Sequence, residues 1–269
     1  MSRSALLGRP ATDTAVVGRS RTPRSVRDRF PYLLDLRTGL VVFLGFAAFA
    51  LSPLGRHVDA LTYARPLRPG MWGFGVVRGC LDHLASQGGE GVVMAAIAVA
   101  LTVRMRSSLP LLVAGTTEAL FYFTGLVKLL FAKDAPRFGT PSYWAGGYLD
   151  HGKYGMAFPS GHTSEVVLVF GAGVLLLHLG FPGWCAAHAR RIKSVWIGVG
   201  LNAAAVSWAL GTHWLTDLVA GALFGGVMLR VLVETVSSGL LPAVAGWVDA
   251  RMGLRRAVPT AVVHDRPSG

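Results

Sequence analysis

Two short stretches carry the residue types that move protons and hold anions. The first, Phe158-Pro159-Ser160-Gly161-His162-Thr163, stands where a polar loop gives way to a long apolar run. Pro159 cannot continue a helix from upstream, and Ser160 is a good N-cap residue. The stretch therefore predicts a loop-to-helix junction with free backbone N–H groups, which is a ready anion site. His162 adds a group that exchanges protons near neutral pH. The second stretch follows 51 residues later and reads Gly211-Thr212-His213-Trp214-Leu215-Thr216-Asp217. His213 and Asp217 are four apart and share a helix face. Asp217 can then accept from one ring nitrogen of His213 and leave the other free, the base-and-orienter logic of covalent catalysis. Either stretch alone also reads as an ordinary capped helix. Together they put a nucleophile, an acid and an anion cradle in one chain.

The elements that must position these residues are apolar and long. The chain has 269 residues, 52% hydrophobic and 15% charged, against about 25% charged in ordinary soluble domains. Six apolar blocks, most of them about 17–22 residues and so of bilayer-spanning length, cover Thr38–Leu54, Gly91–Val103, Leu109–Leu130, Thr163–Leu179, Ser194–Thr212 and Leu215–Val233. The fold expected is all-α, a six-span transmembrane bundle over residues 38–235. Residues 1–37 make a basic, disordered cytoplasmic tail without a cleavable signal. Residues 236–269 make a cytoplasmic amphipathic segment and tail, with apolar Leu241, Val244, Val248 and Met252 set against Arg251, Arg255 and Arg256. Gly221 and Gly225 predict close helix packing in the last span.

The net charge of +12 raises the question of nucleic acid, but its distribution answers for a membrane. Basic residues gather in the tails and in the turns holding Arg104, Arg106, Arg190, Arg191 and Lys193, as the positive-inside rule requires with both termini in the cytoplasm. No basic patch interleaved with aromatics suggests a nucleic-acid reader. That topology puts Cys80 outside and Cys185 inside, so they cannot pair. No Cys/His grouping has zinc-ligand spacing, and neither metal nor cofactor is expected. The same topology brings Lys128, Ser160, His162, His213 and Asp217 to one extracytoplasmic face, which their spacing did not demand.

A Pro-Ser-Gly-His tetrapeptide followed by His-x-x-x-Asp before a glycine-rich apolar helix resembles the type 2 phosphatidic acid phosphatase and haloperoxidase superfamily. The segment from Lys128 to Pro136 fits that family's first motif in part. The resemblance implies an integral-membrane phosphatase acting on a lipid phosphate or polyprenyl diphosphate in the bilayer. It implies that His213 attacks phosphorus to form a phosphohistidine, that Asp217 holds its imidazole and that His162 protonates the leaving oxygen. Lys128, Ser160 and the Gly161 N–H would hold the phosphoryl oxygens. Two departures stand out. The family's arginines in the first and third motifs fall on Ala135 and Ser207. Losing one transition-state donor costs about 2.7–4 kcal/mol, so replacements are expected from Arg137 and Lys133, which flank the first gap. Two other readings stay open: a phospho-headgroup transferase on the same fold, and a catalytically impaired protein that binds a lipid or partner. The particular lipid and the oligomeric state are not written in these motifs.

Overall fold

A computed structural model describes residues 30, 33–63, 66–82 and 87–254. The expectations for the tail arginines before Phe30 and for Arg255, Arg256 and Arg266 lie outside the described residues. Eight main helices run in the order α1 Leu36–Leu51, α2 Pro53–Leu61, α3 Gln87–Met105, α4 Leu109–Phe131, α5 Gly161–Gly180, α6 Ala189–Ala209, α7 Leu215–Ser237 and α8 Leu240–Met252. Short helical turns fill the connections. Among the described residues there is no strand, and Lys133 and Tyr143 form an isolated antiparallel bridge. The all-α expectation therefore holds.

Helix starts follow local chemistry. The Asp35 carboxylate accepts from Thr38 N at 3.1 Å and caps α1. At Ser52-Pro53 the rod breaks. Pro53 removes an N–H from the ladder, Ser52 caps the new helix by accepting from Gly55 N, and α2 leaves α1 at 76°. In α5, a π-helical turn at Val166–Phe170 interrupts an otherwise continuous rod.

Six long helices coincide with the six apolar blocks. By length and composition, three of the described helices (α4, α5 and α7) can cross a membrane, and a fourth span results if α1 and α2 count as one broken element. The first turn of α6 holds Arg190 and Arg191, with Lys193 just beyond.

The centre of the bundle is α7, buried along most of its length and packed against α1 and α5. Gly221 and Gly225 permit this approach. A β-carbon on Gly221 would overlap Thr163 Oγ1 and the Ser160 carbonyl, and one on Gly225 would meet the Ser164 carbonyl at 2.6 Å. Gly226, by contrast, has open space and borders an apolar groove between α1, α6 and α7. At the far end of the bundle, Asp249 accepts from Ser108 N at 2.6 Å and Ser107 Oγ at 2.9 Å. These bonds pin α8 to the α3–α4 turn through buried Leu241, Ala245 and Asp249. The segment read as lying on a leaflet is thus docked against α4 and α7. Cys80 is exposed and Cys185 is buried.

Candidate active site

The N-terminus of α5 and the loop entering α7 come together at one end of the bundle. Ser160 caps α5, its hydroxyl accepting from Thr163 N at 3.4 Å. Its backbone N–H donates to the Asp217 carbonyl at 2.9 Å, which ties the two motif stretches directly. His162 and His213 stand edge to face with ring centroids 6.0 Å apart. Lys128, from the last turn of α4, donates to the Met156 carbonyl at 3.1 Å. Its ammonium lies against Gly161, where an added β-carbon would sit 3.4 Å from Nζ. The structure therefore brings Lys128, Ser160, Gly161, His162, His213 and Asp217 into one place.

The details of the histidine differ from the sequence expectation. His213 Nδ1 lies 2.9 Å from the Ala157 carbonyl and 3.7 Å from Asp217 Oδ2. A carbonyl can only accept, so Nδ1 carries the proton and Nε2 keeps its lone pair. The backbone, rather than Asp217, sets this tautomer. Asp217 acts at ion-pair distance, and its own hydrogen bonds are committed elsewhere. Oδ2 accepts from Trp214 N at 2.8 Å, closing the first turn of α7, and Oδ1 accepts from Lys133 Nζ at 2.7 Å. Burial pushes the His213 imidazole below the ordinary histidine range, and Lys128 adds to the shift against the opposing pull of Asp217. His213 is accordingly neutral at pH 7, the form a nucleophile needs.

Lys133 corrects a second expectation. It does not reach toward a phosphate. Its side chain is fully buried, and its ammonium donates to Asp59 Oδ2 at 2.6 Å, Thr216 Oγ1 at 2.9 Å and Asp217 Oδ1 at 2.7 Å. An ammonium has three donors, and all three are used. Burial opposes its charge, but Asp217, Tyr143 and Asp59 outweigh that and raise its pKa above the ordinary lysine value. Asp59 closes the network by accepting from Thr216 N at 3.0 Å and Thr216 Oγ1 at 2.7 Å. Tyr143 covers this network, with its ring 5.1 Å from the Lys133 ammonium. Burial pushes its phenol up to about 12.

His162 is held more loosely. Its Nε2 lies 3.8 Å from Asp82 Oδ1, and a third of its side chain is exposed. Asp82 in turn accepts from Arg78 Nη1 at 2.9 Å. Ala135 and Ser207 are both buried, and Ser207 Oγ has no partner, so neither position offers a cation. Arg137 is exposed on the short helix Pro136–Phe138. Its guanidinium lies 4.1 Å over the Tyr154 ring, facing a polar cavity beside the histidine pair.

Sequence spacing missed Asp59, Asp82, Arg78 and the Ala157 carbonyl. The Arg78/Asp82 pair was detectable as an i,i+4 match. Asp59 had no local signal, because its partner Lys133 lies far along the chain. Among the described residues no group of three His, Cys, Asp or Glu side chains is arranged to hold a metal ion.

Residues 108–238 match the PAP2 superfamily. The fold is similar to the crystal structure of the first transmembrane PAP2 type phosphatidylglycerolphosphate phosphatase from Bacillus subtilis, with a TM-score of 0.61 at 18% identity, over 77% of this chain and 97% of that one. At that identity the likeness speaks for the fold. Comparison with curated protein sequences finds no match.

Proposed function

For a membrane protein whose residues 108–238 match the PAP2 superfamily, we propose hydrolysis of a lipid phosphate through a phosphohistidine at His213. One observation carries the reading: the Nδ1 proton of His213 is committed to the Ala157 carbonyl, leaving a neutral Nε2 beside His162 and the Lys128–Gly161 cradle. In the first step Nε2 attacks phosphorus and the bond to the lipid oxygen breaks. His162 gives that oxygen its proton. In the second step His162 takes a proton from water, the water oxygen bonds phosphorus, and the bond to Nε2 breaks to release phosphate. Catalysis of phosphoryl transfer rests on positioning and charge stabilisation. Lys128 and the N–H groups opening α5 supply that stabilisation in this reading, with the site on the extracytoplasmic face.

The test is phosphate release by purified protein from a panel of lipid phosphates, with acid-labile label trapped on the protein. His213→Ala should abolish both, lowering turnover by at least about 10⁴-fold, as loss of a covalent nucleophile does. Unchanged turnover in His213→Ala would overturn the assignment. Transfer of label to an added alcohol instead of water would identify a transferase on the same histidine.

A further inference from the structure

The cations absent at Ala135 and Ser207 have counterparts nearby on segments that carry no motif. A cavity of about 480 Å³ opens beside the histidine pair, lined by Arg68, Arg78, Arg137, Tyr63, Tyr154 and Thr212 among others. Its lining holds three arginines and no carboxylate. Each arginine rides on an anchored segment. Leu67 N donates to the Ala209 carbonyl at 2.8 Å and fixes the approach of Arg68. Asn202 Nδ2 donates to the Leu81 carbonyl at 3.0 Å and holds the turn bearing Arg78. Arg137 follows Pro136 and stacks on Tyr154.

Two lining residues connect the cavity to the vacant motif positions. Arg137 is two residues after Ala135, and Thr212 Oγ1 donates to the Ser207 carbonyl at 2.9 Å. It adjoins a smaller cavity lined by His213, and the two share Tyr63 and Gly211. Arg78 reaches the pair from another side, through Asp82 to His162. Guanidinium groups suit phosphate oxygens because their planar donors can bind two at once. Three that converge, with only Arg78 of them paired to an acid (Asp82) among the described residues, make a concave positive field beside the reacting centre.

We propose that this cavity is a second phosphate site, which takes a phosphate dianion next to the one under attack. The inference rests on the phosphatase reading for its place in the reaction. Two sources offer the same chemistry: the additional phosphate of a diphosphate substrate, and the inorganic phosphate just released.

Binding is read first, without turnover. Phenylglyoxal modification of the full-length wild-type protein in detergent, resolved by mass spectrometry, should slow at Arg68, Arg78 and Arg137 when inorganic phosphate or methylenediphosphonate is added, at least fivefold at saturation. The sources are then separated kinetically with Arg68→Gln and Arg68→Lys, using farnesyl monophosphate and farnesyl diphosphate, which share one tail. A five- to tenfold rise in the inhibition constant of inorganic phosphate in Arg68→Gln, partly restored in Arg68→Lys, assigns the site to released product. A similar fall in the ratio of diphosphate to monophosphate kcat/KM assigns it to the substrate's own second phosphate. Modification rates indifferent to both anions would overturn the proposal, as would an inhibition constant and a ratio that both stay fixed in Arg68→Gln. Protection of the arginines in a protein that hydrolyses no lipid phosphate would instead sink the phosphatase reading and leave the site standing.

Discussion

The two histidines are supported in opposite ways. His213 sits in a buried lattice whose members are saturated. Ala157 takes its proton, Asp217 is held by Lys133 and Trp214 N, and Lys133 has no donor left over. His162 stands at the edge with, among the described residues, a single acidic neighbour at 3.8 Å, itself tethered to an exposed arginine. A nucleophile gains from a fixed geometry, because small misplacements of the attacking atom cost rate steeply. A proton donor must meet leaving groups that vary in position and pass its proton on to water. The asymmetry fits a division of labour in which one ring is built in and the other is left room to adjust.

The contrast can be broken hardest at Lys133. Lys133→Met leaves two carboxylates, Asp59 and Asp217, facing each other in a dry site. Removing one partner of a buried ion pair typically costs about 3–5 kcal/mol. We expect a large drop in melting temperature or no folded protein, read by thermal unfolding in detergent. A Lys133→Met protein as stable as wild type would mean the lattice is not what holds this end together.

His162→Gln should spare the fold and lower turnover by about 10²–10⁴, the usual worth of a general acid. The loss should shrink when the leaving group is a nitrophenol, which departs without a proton. An equal loss on both substrates would assign His162 to positioning.

A smaller effect is expected from Asp82→Asn, which removes the only carboxylate within ion-pair range of His162 among the described residues. A partly exposed charge at that distance contributes about 1 kcal/mol or less, so turnover should fall by less than tenfold with no change in melting temperature. A loss as deep as that of His162→Gln would show that the edge is as tightly built as the interior.

The smallest expected change is none. The pKa of Lys133 is raised in the folded protein, so its contribution to stability is whole below the unfolded value of about 10.4 and is lost only as pH rises through the higher folded value. Melting temperature should therefore hold from pH 7 to about 10. A steep rise near pH 9 would mean a depressed folded pKa, and so an ammonium buried without its acids.

What could be read from sequence was whatever chain spacing encodes. The cap at Ser160, the helix start near His213, and the Gly221–Gly225 packing face all depend on residues within a turn or two of each other. The expectation that His213 and Asp217 share a helix face is met only as proximity: they approach to 3.7 Å, but His213 lies in the loop before α7. What was not legible came from across the fold. A backbone carbonyl such as that of Ala157 has no signature in residue type. Lys133 was read as a free cation because no acid adjoins it except Asp134, whereas its partners are Asp59 and Asp217. The expected inward turn of Arg137 has a partial counterpart, since the side chain faces a cavity shared with Arg68 and Arg78. Those two arginines lie in a connecting segment without periodicity to single them out.

The bend after Ser52 carries one more consequence. Asp59 lies on α2, well before residue 108, where the family match begins. The matched region is therefore not a self-sufficient cassette. Exchanging residues 108–238 with those of a distant relative would transplant position 133 without its counterpart at position 59. A mismatch there strands a carboxylate or an ammonium in the interior. Successful hybrids should be those whose crossover lies upstream of Pro53, so that both halves of the lock are inherited from the same parent.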